Sequence, residues 1–191
     1  MNDILLTRDG PGFHVGRAWR RAALLSCLLA APGFVSAAEL VDLGSQVPDT
    51  RVINEGLFPE EACNELQQAG FKCMGFKPAV RFSLQTSTFK VGSAELPDLL
   101  RKQLDKFAEV LRGKRGLAKQ VRIEGHADAT GSEDVNMPLS QRRAEAVKDY
   151  LVKNGADAAM LQAVGMGSKA PKPGSDPNAA DNRRVEIGPQ P

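Results

Sequence analysis

The residues best placed to do chemistry lie in one stretch, VRIEGHADATGSEDVNMPLSQRRAEAV, beginning at Val121. Arg143 stands four residues from both Leu139 and Val147, with Leu151 next in the same row. Residues so spaced share one face of a helix, so this arginine occupies a stripe that should face the interior, while Arg142 points outward. A guanidinium taken out of water needs acceptors, because stranding it costs several kcal/mol. Asp128 is the candidate acceptor, just past a strand and flanked by Gly125 and Gly131, which permit a tight backbone path. Arg183 adds a second guanidinium. Strand alternation puts it on the face of Val185 and Ile187, with Arg184 and Glu186 on the other. If the two strands run close together, one carboxylate and two guanidiniums ring a single spot. Such a trio can hold a zwitterion, the carboxylate on its ammonium and an arginine forked on its carboxylate. It can equally be an internal salt bridge that fastens helix to loop, and spacing alone does not choose between them.

The elements that must position these groups are legible from period. Val80, Phe82 and Leu84 alternate with polar residues, as in a half-buried strand. A helix opens at Ser93-Ala94-Glu95-Leu96-Pro97, and its face carries Leu96, Leu100, Leu104, Phe107 and Leu111 before Gly113 to Gly116 end it. Val121 and Ile123 mark a second strand. A second helix takes Pro138 in its first turn and stops near Gly155. Leu161 to Val164 form a third strand, and after a Pro/Gly/Asp/Asn-rich loop, 168–182, Arg183 to Ile187 form a fourth. Strands alternating with helices imply an α/β arrangement with the helices packed on one mostly parallel or mixed sheet.

Ahead of that pattern the chain changes character. Residues 1–21 end in Arg17, Arg20 and Arg21, and residues 22–38 are almost wholly apolar and close on small side chains. This is the order of a secretory signal peptide, with cleavage near Ala37 or Ala38. Pro32-Gly33 interrupts the run, which is shorter than the ~20 apolar residues of a spanning helix, so a retained anchor is the lesser alternative, and lipidation at Cys27 a weaker one. The whole chain carries 25 Lys and Arg against 23 Asp and Glu. Four arginines and two aspartates fall in residues 1–38, leaving the remainder neutral and without the basic footprint of a nucleic-acid binder. Residues 39–58 show no sustained period and read as a linker or ordered arm. A short helix follows from Pro59 to Gly70. In an oxidising compartment Cys63 and Cys73 would pair, constraining the unfolded chain by ~2–3 kcal/mol.

The run Gly125-His126-Ala127-Asp128-Ala129-Thr130-Gly131, then Asn136, Leu139-Ser140 and Arg143-Ala144, resembles the G-H-T-D-x-x-G…N-x-x-L-S-x-x-R-A signature of OmpA-like domains. Gly165-Met166-Gly167 and Asn182-Arg183-Arg184-Val185-Glu186-Ile187 resemble that family's closing G-x-G and N-R-R-V-E-I. The resemblance spans roughly residues 80–188. It implies an α+β sandwich of βαβαββ type in residues 79–188, preceded by an arm, 39–78, and the export segment, 1–38. It also implies non-covalent binding of peptidoglycan in the periplasm, with or without association to the outer membrane, through the diaminopimelate of the stem peptide. Asp128 matches the position that takes the ligand's ammonium and Arg143 the one that takes its carboxylate. Thr130, Asn136 and Arg183 match positions supplying further polar contacts. Two departures stand out. Ala127 replaces the usual Thr or Ser, and Asn178-Ala179-Ala180-Asp181 replaces the usual Gly-Arg before N-R-R.

No cofactor is expected, and no enzyme. His126 is the only histidine after residue 38, and one imidazole beside one carboxylate falls short of a zinc site. Its ring is expected to hydrogen-bond backbone near the loop. No G-x-S-x-G elbow occurs. Two rival readings share the fold: an interaction module without wall binding, contacting an outer-membrane or other envelope protein through residues 39–78, and a stator-like anchor that keeps its apolar segment.

Overall fold

The computed structural model describes residues 39–72, 78–85, 89–90 and 92–190. The expected export segment, Cys27 and Cys73, and with it the pairing to Cys63, lie outside them. Among these residues run five strands, β1 (Glu39–Gly44), β2 (Val80–Gln85), β3 (Val121–Gly125), β4 (Leu161–Gly165) and β5 (Arg184–Pro189). Four α-helices accompany them, α1 (Thr50–Leu57), α2 (Pro59–Gln68), α3 (Asp98–Arg112) and α4 (Glu133–Lys153). The mixed sheet has the order β1-β2-β5-β3-β4. β1 is parallel to β2 and β3 to β4, while β5 is antiparallel to both β2 and β3. Strands β1 to β4 therefore all point one way, and their carboxyl ends meet the amino end of β5. That end of a sheet is where loops from several strands converge.

One face of the sheet builds the core. Phe82, Leu84, Val121, Ile123, Val185 and Ile187 are fully buried against the apolar stripes of the helices. On α3 the expected row Leu100, Leu104, Phe107 and Leu111 is buried, and Phe107 meets Phe82 edge-on at 5.5 Å between ring centroids, worth ~0.5–1.5 kcal/mol beyond area burial. On α4 the row Leu139, Arg143, Val147 and Leu151 faces inward as the spacing requires, and Arg142 is exposed. The chain leaves α4 through Gly155 at φ +103°, a left-handed conformation that costs glycine no Cβ clash.

Two helix starts differ from expectation. α3 begins at Asp98 because Pro97 sits before it in an extended conformation (φ −65°, ψ 158°), so Leu96 packs on the core from outside the helix. α4 begins five residues ahead of Pro138, at Glu133, which leaves the proline inside the helix rather than in its first turn. Ser132 is its cap residue and Glu133 and Asp134 lend negative charge to its amino end. A two-residue periodicity also mislocates Arg183. It stands just before β5, at the end of the 3-10 turn Ala180–Asn182.

Residues 39–72 are more ordered than their period suggests. β1 joins the sheet edge, and α1 buries Ile53 and Leu57 with the following Phe58. Gly56 lies against the Phe82 ring, where a Cβ would fall 2.5 Å from it. Gln103 of α3 donates to the carbonyls of Gly44 (3.1 Å) and Gln46 (2.7 Å). Lys114 and Lys119 pair with Glu61 and Glu60, and both ammoniums sit above the Phe58 ring at 5.3 and 5.4 Å. Strand and helix here are only six and eight residues long, too short to display a period against their flanks.

Candidate ligand-binding site

At the carboxyl ends of the strands a cavity of about 430 Å³ opens between the β3–α4 loop, the start of α4, the segment after β2 and the residue before β5. Asp128, Thr130, Asn136, Arg143 and Arg183 all line it, with Phe89, Val135 and Leu139 as its apolar wall.

Backbone bonds hold the loop that presents Asp128. The His126 amide donates to Arg184 O (2.9 Å), the Ala127 amide to Gly167 O (2.8 Å) and the Ala129 amide to Pro177 O (2.9 Å). Gly167 is itself fixed to α4 through its amide on Ser140 Oγ (2.9 Å). Asn136, 6% exposed, donates its amide to Asp128 O (2.9 Å) and Gly131 O (3.1 Å), tying the loop to the helix. The hydroxyl missing at Ala127 is thus not needed to orient this loop. In the second departure from the pattern, buried Asn182 does the shaping. Its side chain accepts from Lys172 N (2.7 Å) and donates to Asp176 O (2.7 Å), closing the loop ahead of β5.

The ionic groups divide unequally. Asp128 Oδ1 accepts from the Thr130 amide (3.2 Å) and hydroxyl (2.5 Å), and Oδ2 from Arg183 Nη1 (2.7 Å). Burial pushes this carboxyl up, but the Thr130 and Arg183 hydrogen bonds outweigh it and hold its pKa below the ordinary value. Arg143 is 2% exposed and has no carboxylate within ion-pair reach among the described residues. Its Nε donates to Ser93 O (3.1 Å), and its guanidinium carbon lies 4.7 Å above the Phe89 ring centre. Burial first, then the nearby Arg183 charge, lowers its pKa. Among the described residues Arg143 is therefore a desolvated cation without a directly bonded counter-ion, and the charge of Asp128, already paired with Arg183, favours it only from a distance. Spacing could not supply Phe89, and Ser93, expected to open a helix, lies in the irregular segment ahead of α3.

The opposite face of the sheet hides a second ionic cluster. Glu124, Glu186 and Arg184 are 4%, 3% and 3% exposed. Arg81 Nη1 reaches Glu124 (2.6 Å) and Glu186 (3.3 Å), Arg122 Nε lies 2.7 Å from Glu124, and Arg184 Nε lies 2.6 Å from Glu186. His126 belongs here. Its ring bonds no backbone group, contrary to expectation, because the strand direction aims it across the sheet. Nε2 stands 3.7 Å from both Glu124 and Glu186. The ligand atoms of Glu124, His126 and Glu186 lie within 4.8 Å of one another, a metal-sized spacing. Three guanidiniums against two carboxylates nevertheless leave no negative charge for a divalent cation, so the cluster reads as an ion network. Residue parity on β2, β3 and β5 was the signal for it.

The sequence pattern of the OmpA family matches residues 88–185, just over half of the 191. The chain belongs to the OmpA family. Over 107 residues this OmpA-family chain is 37% identical to the peptidoglycan-associated lipoprotein of Pseudomonas aeruginosa, a match covering 55% of this chain and 62% of that one. Over 70 residues it is 46% identical to the peptidoglycan-binding protein ArfA of Mycobacterium tuberculosis, covering 36% of this chain and 22% of the other. The matches thus span less than two thirds of either curated relative. Among solved structures, the peptidoglycan-associated lipoprotein from Burkholderia pseudomallei aligns at 30% identity and a TM-score of 0.49, over 56% of this chain and 89% of that one. No helix among the described residues is long and apolar enough to cross a membrane.

Proposed function

We propose that this domain binds peptidoglycan without turning it over, holding the free amino-acid end of a diaminopimelate residue in the cavity. The observation that carries the reading is Arg143: buried, lining the cavity and, among the described residues, in no ion pair. A protein that strands a guanidinium so deeply has a use for an incoming anion. A carboxylate would take Arg143 through charge-assisted bonds. Asp128 offers the complementary end. A carboxylate has about four lone-pair positions, and the three bonds to Asp128 leave one on Oδ2 for an ammonium. Phe89, Val135 and Leu139 suit the methylene chain that joins the two ends of such a ligand. The names of the two relatives, peptidoglycan-associated and peptidoglycan-binding, point the same way. In this reading the domain works in the periplasm as a tether to the wall.

Co-sedimentation with purified sacculi tests it. Asp128→Ala and Arg143→Ala should each leave the protein in the supernatant while circular dichroism shows it folded. Arg142→Ala, one residue away and exposed, should pellet like the parent. Normal pelleting of Arg143→Ala would remove the pocket from the function.

A further inference from the structure

We infer that the cavity reads the chemical state of its ligand's carboxyl group, accepting the free carboxylate and rejecting the carboxamide. This deepens the peptidoglycan reading and rests on it. Among the described residues Arg143 makes one hydrogen bond, from Nε to Ser93 O, and its side chain lines the cavity, so its terminal nitrogens are the donors an incoming group would meet. The Phe89 ring lies 4.7 Å from the guanidinium carbon, and the N–H groups of the guanidinium form a fork in its plane. A fork of donors matches two acceptor oxygens. A carboxamide offers one oxygen and one NH2 group, so its docking would bring donor against donor and strand an N–H on each side.

Charge works in the same direction. The cavity holds the guanidiniums of Arg143 and Arg183 and one carboxylate, Asp128, which is already bonded to Arg183. A carboxylate neutralises the surplus positive charge at the buried position, and an amide leaves it unrelieved. The loss amounts to about one charge-assisted hydrogen bond, which corresponds to a ~10- to 100-fold difference in affinity. Amidation of the wall peptide would then act as an off-signal for this domain.

The experiment compares two tripeptides, L-Ala-γ-D-Glu-meso-diaminopimelate with the free amino-acid end of its last residue as carboxylate or as carboxamide. Each is titrated into the full chain by calorimetry. The carboxylate should bind ~10- to 100-fold more tightly. Equal affinity for both would overturn the inference and leave the wall-binding reading standing, whereas binding of neither would overturn both. In Arg143→Gln, which replaces the donor fork with an amide, the preference should collapse towards unity as overall affinity falls. A retained preference in that variant would assign the discrimination elsewhere and refute the role of Arg143. Should the variant fail to fold, the comparison on the parent protein still decides.

Discussion

Replacing Arg143 with methionine should abolish sacculus binding while leaving the fold as stable as before, or more so. The guanidinium is 2% exposed, and its removal from water costs several kcal/mol. Among the described residues two direct contacts offset that cost. The bond from Nε to Ser93 O is worth ~1.5–3 kcal/mol as a charged hydrogen bond, and the approach to Phe89 at 4.7 Å adds ~0.5–2 kcal/mol. Gain and cost are therefore close to balance. Methionine has an unbranched stem that fills much of the same space, keeps a favourable sulfur contact with the Phe89 ring and carries no charge to desolvate. Ser93 is only half-buried, so water can satisfy its freed carbonyl. The expected change lies between zero and ~2 kcal/mol of added stability, or up to roughly 8 °C in Tm for a domain of this size. Thermal denaturation followed by circular dichroism, paired with sacculus co-sedimentation, measures both halves. A loss of more than ~1 kcal/mol would show that the arginine fastens helix to loop, the alternative that spacing left open, and that its burial serves the fold instead of a ligand.

Gly125 is where β3 runs directly beneath α4. A Cβ there would lie 2.9 Å from the Ser140 carbonyl carbon and closer still to its oxygen, so Gly125→Ala should cost ~1–3 kcal/mol or more in urea unfolding, and a change within ~0.5 kcal/mol would mean that the helix can lift freely. Asp128 should make the domain acid-sensitive. Because its folded pKa is depressed below 3.8, it contributes stability that is complete above that value and is lost as pH falls through the lowered one. Melting curves between pH 5 and pH 2 should therefore slope less steeply for Asp128→Asn than for the parent, and identical slopes would deny Asp128 this role.

Much of the site could be read from spacing, and the reasons for the rest are specific. Leu139, Arg143, Val147 and Leu151 sit in one row on a long helix, where a four-residue step is reliable, and Asp128 follows a strand whose apolar pair is unambiguous. Arg183 illustrates the limit. Its assignment by alternation failed because a 3-10 turn intervenes, yet it reaches Asp128 since β5 starts beside the end of β3. Phe89 was invisible because irregular backbone carries no period, and Ser93 was read only as the opening of a helix that in fact starts at Asp98. The strand β1 and helix α1 were missed for a different reason: their order comes from docking onto β2 and α3, a tertiary effect that short segments cannot announce locally. His126 went astray because it was read as part of the loop, whereas the alternation of β3 carried one residue further puts it on the face of Arg122 and Glu124.

The direction of β1 has a mechanical consequence. Glu39 pairs with Val80 at the amino end of β2, and so lies at the end of the sheet opposite the cavity. A pull entering at Glu39 while the cavity is held fast runs along the strand axes. The bonds between β1 and β2 then share the load in shear instead of tearing one after another.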